Sequence, residues 1–196
     1  MGIGRSGPAV NRRPPGRPAV FLDRDGTLNR AQVRDGRPFP PATLREFALY
    51  EGVAEACARL KAAGFALVVV TNQPDVGRGT QSEAVVAAMH AELRRLIPAI
   101  DRIEACFAPG QGLEHPENRR RKPAPGMLLD AATALGLDLA RSWMVGDRAG
   151  DIGAGHAAGC RTILIDRGYA EPPPHRPPHA SARSLPEAAG FILAAP

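Results

Sequence analysis

The sequence predicts an α/β protein in which one parallel sheet is covered by helices on both faces. Two observations predict it. Five short runs are apolar at nearly every position, as strands buried on both faces are, and segments of helical period lie between them. That alternation implies right-handed crossovers within one sheet. At 196 residues the chain is the size of one domain. The domain is expected over residues 18–196, after a disordered basic leader over 1–17 whose Gly, Pro and Arg show no periodicity.

The elements follow in order. AVFL at 19–22 is the first strand, and 52–63 is a helix with Val53, Cys57 and Leu60 on one side. ALVVV at 66–70 is the second strand. A helix over 82–97 then lines up Val85, Val86, Met89, Leu93 and Leu96 before Pro98 stops it. RIEACF at 102–107 is the third strand. PGMLLDAATAL at 125–135 is a helix, with Pro125 just inside its start and Gly136 just past its end. WMV at 143–145 and RTILI at 161–165 are strands around a helix over about 150–158. Prolines 172, 173, 174, 177 and 178 mark an irregular segment before a short helix around 184–190 and a last apolar run, Phe191-Ile192-Leu193.

The net charge of +5 raises the question of a nucleic-acid partner. Four arginines of that excess lie in the leader without an acid. The other 179 residues hold 21 basic and 20 acidic side chains, so no nucleic-acid partner is expected. Cys57, Cys106 and Cys160 are too few and too scattered for a disulfide framework and fit a reducing compartment. No uncharged apolar stretch approaches the roughly 18 residues of a membrane helix, and the first residues lack the apolar core of a signal peptide. A cytoplasmic monomer with no membrane contact is the expectation.

Parallel strands bring the segments that follow them to one carboxyl edge, where open α/β folds bind ligands. There the sequence puts Asp23-Arg24-Asp25-Gly26-Thr27, Thr71-Asn72-Gln73 and Gly146-Asp147-Arg148-Ala149-Gly150-Asp151. A long loop adds Arg119, Arg120, Arg121 and Lys122. Four carboxylates in one place repel unless a hard divalent cation joins them, and oxygen donors suit magnesium. A lysine and a threonine hydroxyl beside such a metal suit a phosphoryl group, whose charge is spread over three oxygens. Asp23 and Asp25, two residues apart on an extended segment, face the same way, and Gly26 permits a sharp turn after them.

DRDGTLN, VVVTNQ, RKPAPGM and VGDRAGD, in this order and spacing, resemble the four motifs of the haloacid dehalogenase (HAD) superfamily of phosphohydrolases. FLDRDGTLN, GFALVVVTNQ, the RG of VGRG, RKPAPGM and MVGD resemble, within it, the D-glycero-D-manno-heptose 1,7-bisphosphate phosphatases and their histidinol-phosphatase relatives. The likeness spans about residues 18–169 and implies a single Rossmann-like core. It also implies roles. Asp23 would be the nucleophile that forms an aspartyl-phosphate, and Asp25 the acid and then the base. Asp23, the backbone carbonyl of Asp25 and Asp147 would hold magnesium. Thr71, Asn72 and Lys122 would bind the transferring oxygens, and Asp151 would orient Lys122 or a metal-bound water. Arg78 and Arg121 would contact the rest of a phosphorylated sugar.

Taken singly, several of these residues have plainer readings. DxDGT is also a strand-to-helix turn, Thr71 a cap, Asn72 a turn residue, Asp151 a helix-end charge and Arg119-Arg120 a solvated run. Many relatives hold a structural zinc before the lysine motif through a Cys-x-His and a Cys-x-Cys pair. Here Ala108, Asn118 and Arg120 stand at three of those four places, so no structural zinc is expected and the loop over 108–121 needs other contacts. The 45 residues between Asp25 and Thr71 and the 50 between Thr71 and Lys122 leave no room for a separate cap domain. Loops around 29–43, 73–81 and 108–121 are expected to wall an open site. The expected activity is magnesium-dependent hydrolysis of the 7-phosphate of a heptose 1,7-bisphosphate. Histidinol phosphate as substrate, or a non-catalytic phosphosugar-binding module, are the alternatives.

Overall fold

A computed structural model describes residues 16–110, 112 and 114–195. Residues 1–15 of the expected leader lie outside them. Arg17, its last residue, is tied to the domain by guanidinium bonds to the carbonyls of Gly64 and Phe65.

Six parallel strands form the sheet: β1 (Ala19–Leu22), β4 (Ala66–Asn72), β5 (Arg102–Cys106), β6 (Trp143–Gly146), β7 (Arg161–Ile165) and β8 (Ala180–Ala182), in spatial order β5-β4-β1-β6-β7-β8. The α/β parallel sheet is as the sequence predicts. β1 is buried at every position because its alternate side chains enter two different cores. Val20 and Leu22 meet α1 (Val53–Ala62), α3 (Glu83–Leu96) and α6 (Leu185–Ala194) through Leu60, Leu93 and Ile192. Ala19 and Phe21 meet α4 (Gly126–Leu135) and α5 (Ala149–Ala157) through Leu128, Ala131 and Ala154. Each core-facing Leu or Phe so buried contributes on the order of 2 kcal/mol. Both apolar clusters flank this one sheet.

Several boundaries differ from expectation. β4 runs on to Asn72, so two polar site residues belong to the strand itself. Phe191, Ile192 and Leu193 are not a separate run: α6 continues through them, one side buried by Ile192. β8 was not expected, because Ala-Ser-Ala lacks strand-forming residues and pairs only through its backbone with β7. A hairpin of β2 (Gln32–Arg34) and β3 (Arg37–Phe39) stands in the 29–43 loop, and the single turn α2 (Pro74–Gly77) follows β4.

Candidate active site

β1 lies between β4 and β6, the chain leaving it toward one side of the sheet and entering the other side later. A crevice opens at such a reversal, beyond the carboxyl ends of the strands. Asp23 and Asp147 leave the two strands that border it, and the Asp23 amide donates to Val145 at 2.9 Å across the gap. Oxygens of Asp23, Asp147 and Asp151 all lie within 4.8 Å of one another.

Lys122 enters this trio from the segment before α4. Its buried ammonium donates to Asp23 Oδ1 at 2.5 Å, to the Val70 carbonyl at 2.7 Å, and pairs with Asp151 Oδ1 at 2.6 Å. All three protons are used, and the two carboxylates hold the lysine pKa above its usual range despite burial. The second Asp151 oxygen accepts from the Arg148 amide at 3.0 Å, so Asp151 caps α5 and orients Lys122 together. Asp147 differs: neither oxygen accepts a hydrogen bond of normal geometry, although the Tyr169 hydroxyl lies beside it. Burial, with the charges of Asp23 and Asp151, drives its pKa well above the carboxylate range. Burial likewise pushes Asp23 up to about 7, against the pull of Lys122. A cluster that resists ionisation this strongly is one a cation would relieve.

Asp25 sits apart from the trio. Arg24, wholly buried, grips its carboxylate with Nε at 3.1 Å and Nη2 at 2.8 Å. Asn29 Nδ2 donates at 2.9 Å and Gln73 Nε2 at 2.7 Å. Burial alone would raise the Asp25 pKa, but the Arg24 charge and these bonds outweigh it and hold the carboxyl below its usual value. Gln73 also donates to Thr71 Oγ1 at 2.8 Å, which leaves the Thr71 proton free to point elsewhere. The turn after Asp25 admits only glycine. Gly26 has φ of 92°, and a Cβ there would lie 1.9 Å from Asp147 Oδ2.

The Asn72 side-chain amide bonds both backbone groups of Lys122, at 3.0 and 3.1 Å, so it fixes the lysine segment. Arg78 Nε donates to the Pro109 carbonyl at 2.6 Å and Arg121 Nη1 to Ala108 at 3.0 Å, so both guanidiniums gather at the exit of β5. The charges of Arg78 and Arg148, adding to burial, depress the Arg121 pKa. Three arginines thus share one rim of the site, and Arg148 was not singled out in the sequence. Nor were Arg24, Asn29, Gln73 and Tyr169. The first three stand inside the DRDGTLN and TNQ strings, where their motif position was the available signal; Tyr169 has none.

Comparison with known proteins gives this geometry a family. Residues 119–188 match a family model described as HAD-hydrolase-like. The chain is 40% identical over 153 residues to the D-glycero-beta-D-manno-heptose-1,7-bisphosphate 7-phosphatase of Mesorhizobium japonicum, covering 74% of this chain and 68% of that one. It is also 40% identical over 158 residues to the enzyme of the same name from Escherichia coli strain K12, covering 76% and 79%. Among solved structures, D,D-heptose 1,7-bisphosphate phosphatase from B. bronchiseptica, complexed with magnesium and phosphate, superposes with a TM-score of 0.70 at 29% identity over 90% of this chain and 98% of that one. Sequence, fold and carboxylate cluster agree, and the chain belongs to the heptose-1,7-bisphosphate 7-phosphatase family of HAD-like hydrolases.

Proposed function

We propose that this protein is a magnesium-dependent phosphomonoesterase that removes the 7-phosphate of a D-glycero-D-manno-heptose 1,7-bisphosphate. The carrying observation is the buried Asp23–Lys122–Asp151 network beside an Asp147 whose oxygens have no partner of normal geometry. The donor set fits magnesium: hard oxygens, close together, with both oxygens of Asp147 not committed to Lys122. The backbone carbonyl of Asp25 is the third expected donor. When bound, magnesium neutralises the carboxylates and the phosphoryl oxygens together.

Lys122 holds Asp23 Oδ1, which leaves the other oxygen to attack phosphorus in line with the leaving alkoxide. The bond formed is Asp23 O–P and the bond broken is the sugar O–P. Lys122 and the Thr71 hydroxyl then face the charge that develops on the transferring oxygens. Asp25 protonates the alkoxide and later takes a proton from the water that cleaves the aspartyl-phosphate. Arg24, Asn29 and Gln73 favour its carboxylate form, which the second step needs, and the negative charge of a bound phosphate would raise its proton affinity so that it enters the first step carrying the proton it gives away. Arg78, Arg121 and Arg148 form the cationic rim on which the second phosphate of a bisphosphate would rest. Support for the substrate comes from the names of relatives at 37–40% identity.

No helix among the described residues is long and apolar enough to cross a membrane. The three cysteines are free and buried, in keeping with a reducing, cytoplasmic setting.

The test is a phosphate-release assay with magnesium over heptose 1,7-bisphosphate anomers, heptose 1-phosphate and histidinol phosphate. The bisphosphate should have the highest kcat/KM, and Asp23→Asn should remove at least about 10⁴ of it. Comparable turnover by that variant ends the mechanism, and preference for histidinol phosphate ends the substrate assignment.

A further inference from the structure

The segment that carries Arg121 and Lys122 into the site is pinned on its far side by an ion cluster centred on Arg120. Nη2 of Arg120 pairs with Glu104 of β5, itself buried and also paired with Arg102. Nη1 pairs at 2.7 Å with Glu117 of the short helix Pro116–Arg119, and Nε lies 3.1 Å from Asp130 of α4. Asp130 takes a second cation from Arg119 at 2.9 Å. Glu117 extends the cluster to the strand end, accepting from the Phe107 amide at 2.9 Å, while its own amide donates to His115 Nδ1 at 3.1 Å. One guanidinium therefore joins a strand, a loop helix and a core helix.

Many relatives hold a zinc ion here, none was expected from this sequence, and the residues present do not fit one. Arg120 brings a cation to one ligand place and Ala108 offers no donor at another. Cys106, the surviving sulfur, is buried, donates to the Glu117 carbonyl at 3.5 Å and has its pKa raised chiefly by burial. A thiol held protonated beside guanidinium groups is a poor metal ligand. A planar fork with five donors can bridge three carboxylates from three elements, as a four-coordinate metal bridges four side chains.

We propose that Arg120 is a positioning residue for substrate recognition: bridging Glu104, Glu117 and Asp130, it takes the place of a metal pin and sets the pose of Arg121 on the rim. The inference rests on the phosphatase reading above. Arg120 touches neither substrate nor the reacting groups; it acts through its neighbour in the chain.

The experiment compares wild type, Arg120→Ala, Arg120→Lys, Glu117→Gln, Arg121→Ala and the Arg120→Ala/Arg121→Ala double variant, all with magnesium. Each is assayed on heptose 1,7-bisphosphate and on p-nitrophenyl phosphate. Arg120→Ala should raise KM for the bisphosphate about tenfold with kcat within about threefold, a loss of pose and not of chemistry. Glu117→Gln, which keeps an acceptor for Phe107 but drops the charge, should move KM the same way by about threefold. Arg120→Lys should recover only part. In the double variant KM should match that of Arg121→Ala alone, because two changes acting through one contact do not add. The p-nitrophenyl ester, with no second phosphate, should show little change in KM. Additive effects, or bisphosphate KM values within about twofold throughout, overturn the proposal, as does about one zinc per chain in purified protein by elemental analysis. If Arg120→Ala does not fold, Glu117→Gln and Arg120→Lys decide it. Wild type inactive on both esters would instead sink the phosphatase reading.

Discussion

Gln73 joins the two halves of the chemistry. One amide nitrogen donates to Asp25 and to Thr71, so the carboxylate proposed for proton transfer and the hydroxyl proposed to face the phosphate are set by a single buried side chain. A hydrogen bond to a charged group is worth about 1.5–3 kcal/mol, and losing it frees Asp25 to turn within the grip of Arg24. Gln73→Ala should therefore lower kcat by about tenfold to a hundredfold with KM changed much less. Gln73→Glu should do worse, since it sets a like charge 2.7 Å from Asp25. Unchanged kcat in both would show that Arg24 and Asn29 suffice. Residue identity announced that Asp23, Lys122, Asp147 and Asp151 gather at one edge, because their spacing after apolar runs has few other uses. It did not announce how Asn72 is spent. A side-chain amide can face a ligand or a backbone, and only the 50-residue return of the chain to Lys122 makes the second choice.

At the scale of elements, the sheet's carboxyl edge depends on close approach between strand ends and helix starts. Gly146 ends β6, and a Cβ there would sit 2.3 Å from Asp151 Cγ. Asp151 cannot yield, since its two oxygens hold Lys122 and the Arg148 amide. Gly146→Ala should cost about 2 kcal/mol, a Tm lower by about 4–8 °C, and should lose activity beyond what that stability predicts. Activity preserved alongside a lowered Tm would mean that α5 shifts as a body and carries Asp151 with it. The strands and core helices were legible because burial on both faces leaves a continuous apolar run and burial on one leaves a 3.6-residue stripe. The hairpin of β2 and β3, the strand β8 and the turn α2 were not. Their residues are mixed and half exposed, and they exist through backbone pairing and through contacts distant in sequence, such as Gly36 with Ala170.

Across the whole molecule, charge decides the link between metal and stability. The folded state crowds Asp23, Asp147 and Asp151 into a buried site that one lysine neutralises only in part. Asp23 has its folded pKa raised from 3.8 to about 7, and Asp147 moves in the same direction. A carboxyl raised in this way binds its proton more tightly folded than unfolded. Between 3.8 and about 7 the native chain holds more protons than the unfolded one, so these groups' contribution to stability falls as pH rises through that window. His90 works in the opposite sense. Burial, with the charge of Arg24, lowers its pKa from 6.5 to about 4, so its contribution rises with pH between those values. Magnesium bound at this cluster would have to displace those protons at low pH but would find the ligands ionised at high pH. Its stabilising effect, about 2.7 kcal/mol when free metal is a hundredfold above Kd, should therefore be larger at about pH 8 than at about pH 5.5. Thermal unfolding with and without excess magnesium at both pH values measures this. The Tm gain should be greater at the higher pH, and Asp147→Asn should reduce that gain. Equal gains at both pH values, or a gain untouched in Asp147→Asn, would place the stabilising magnesium outside the carboxylate cluster.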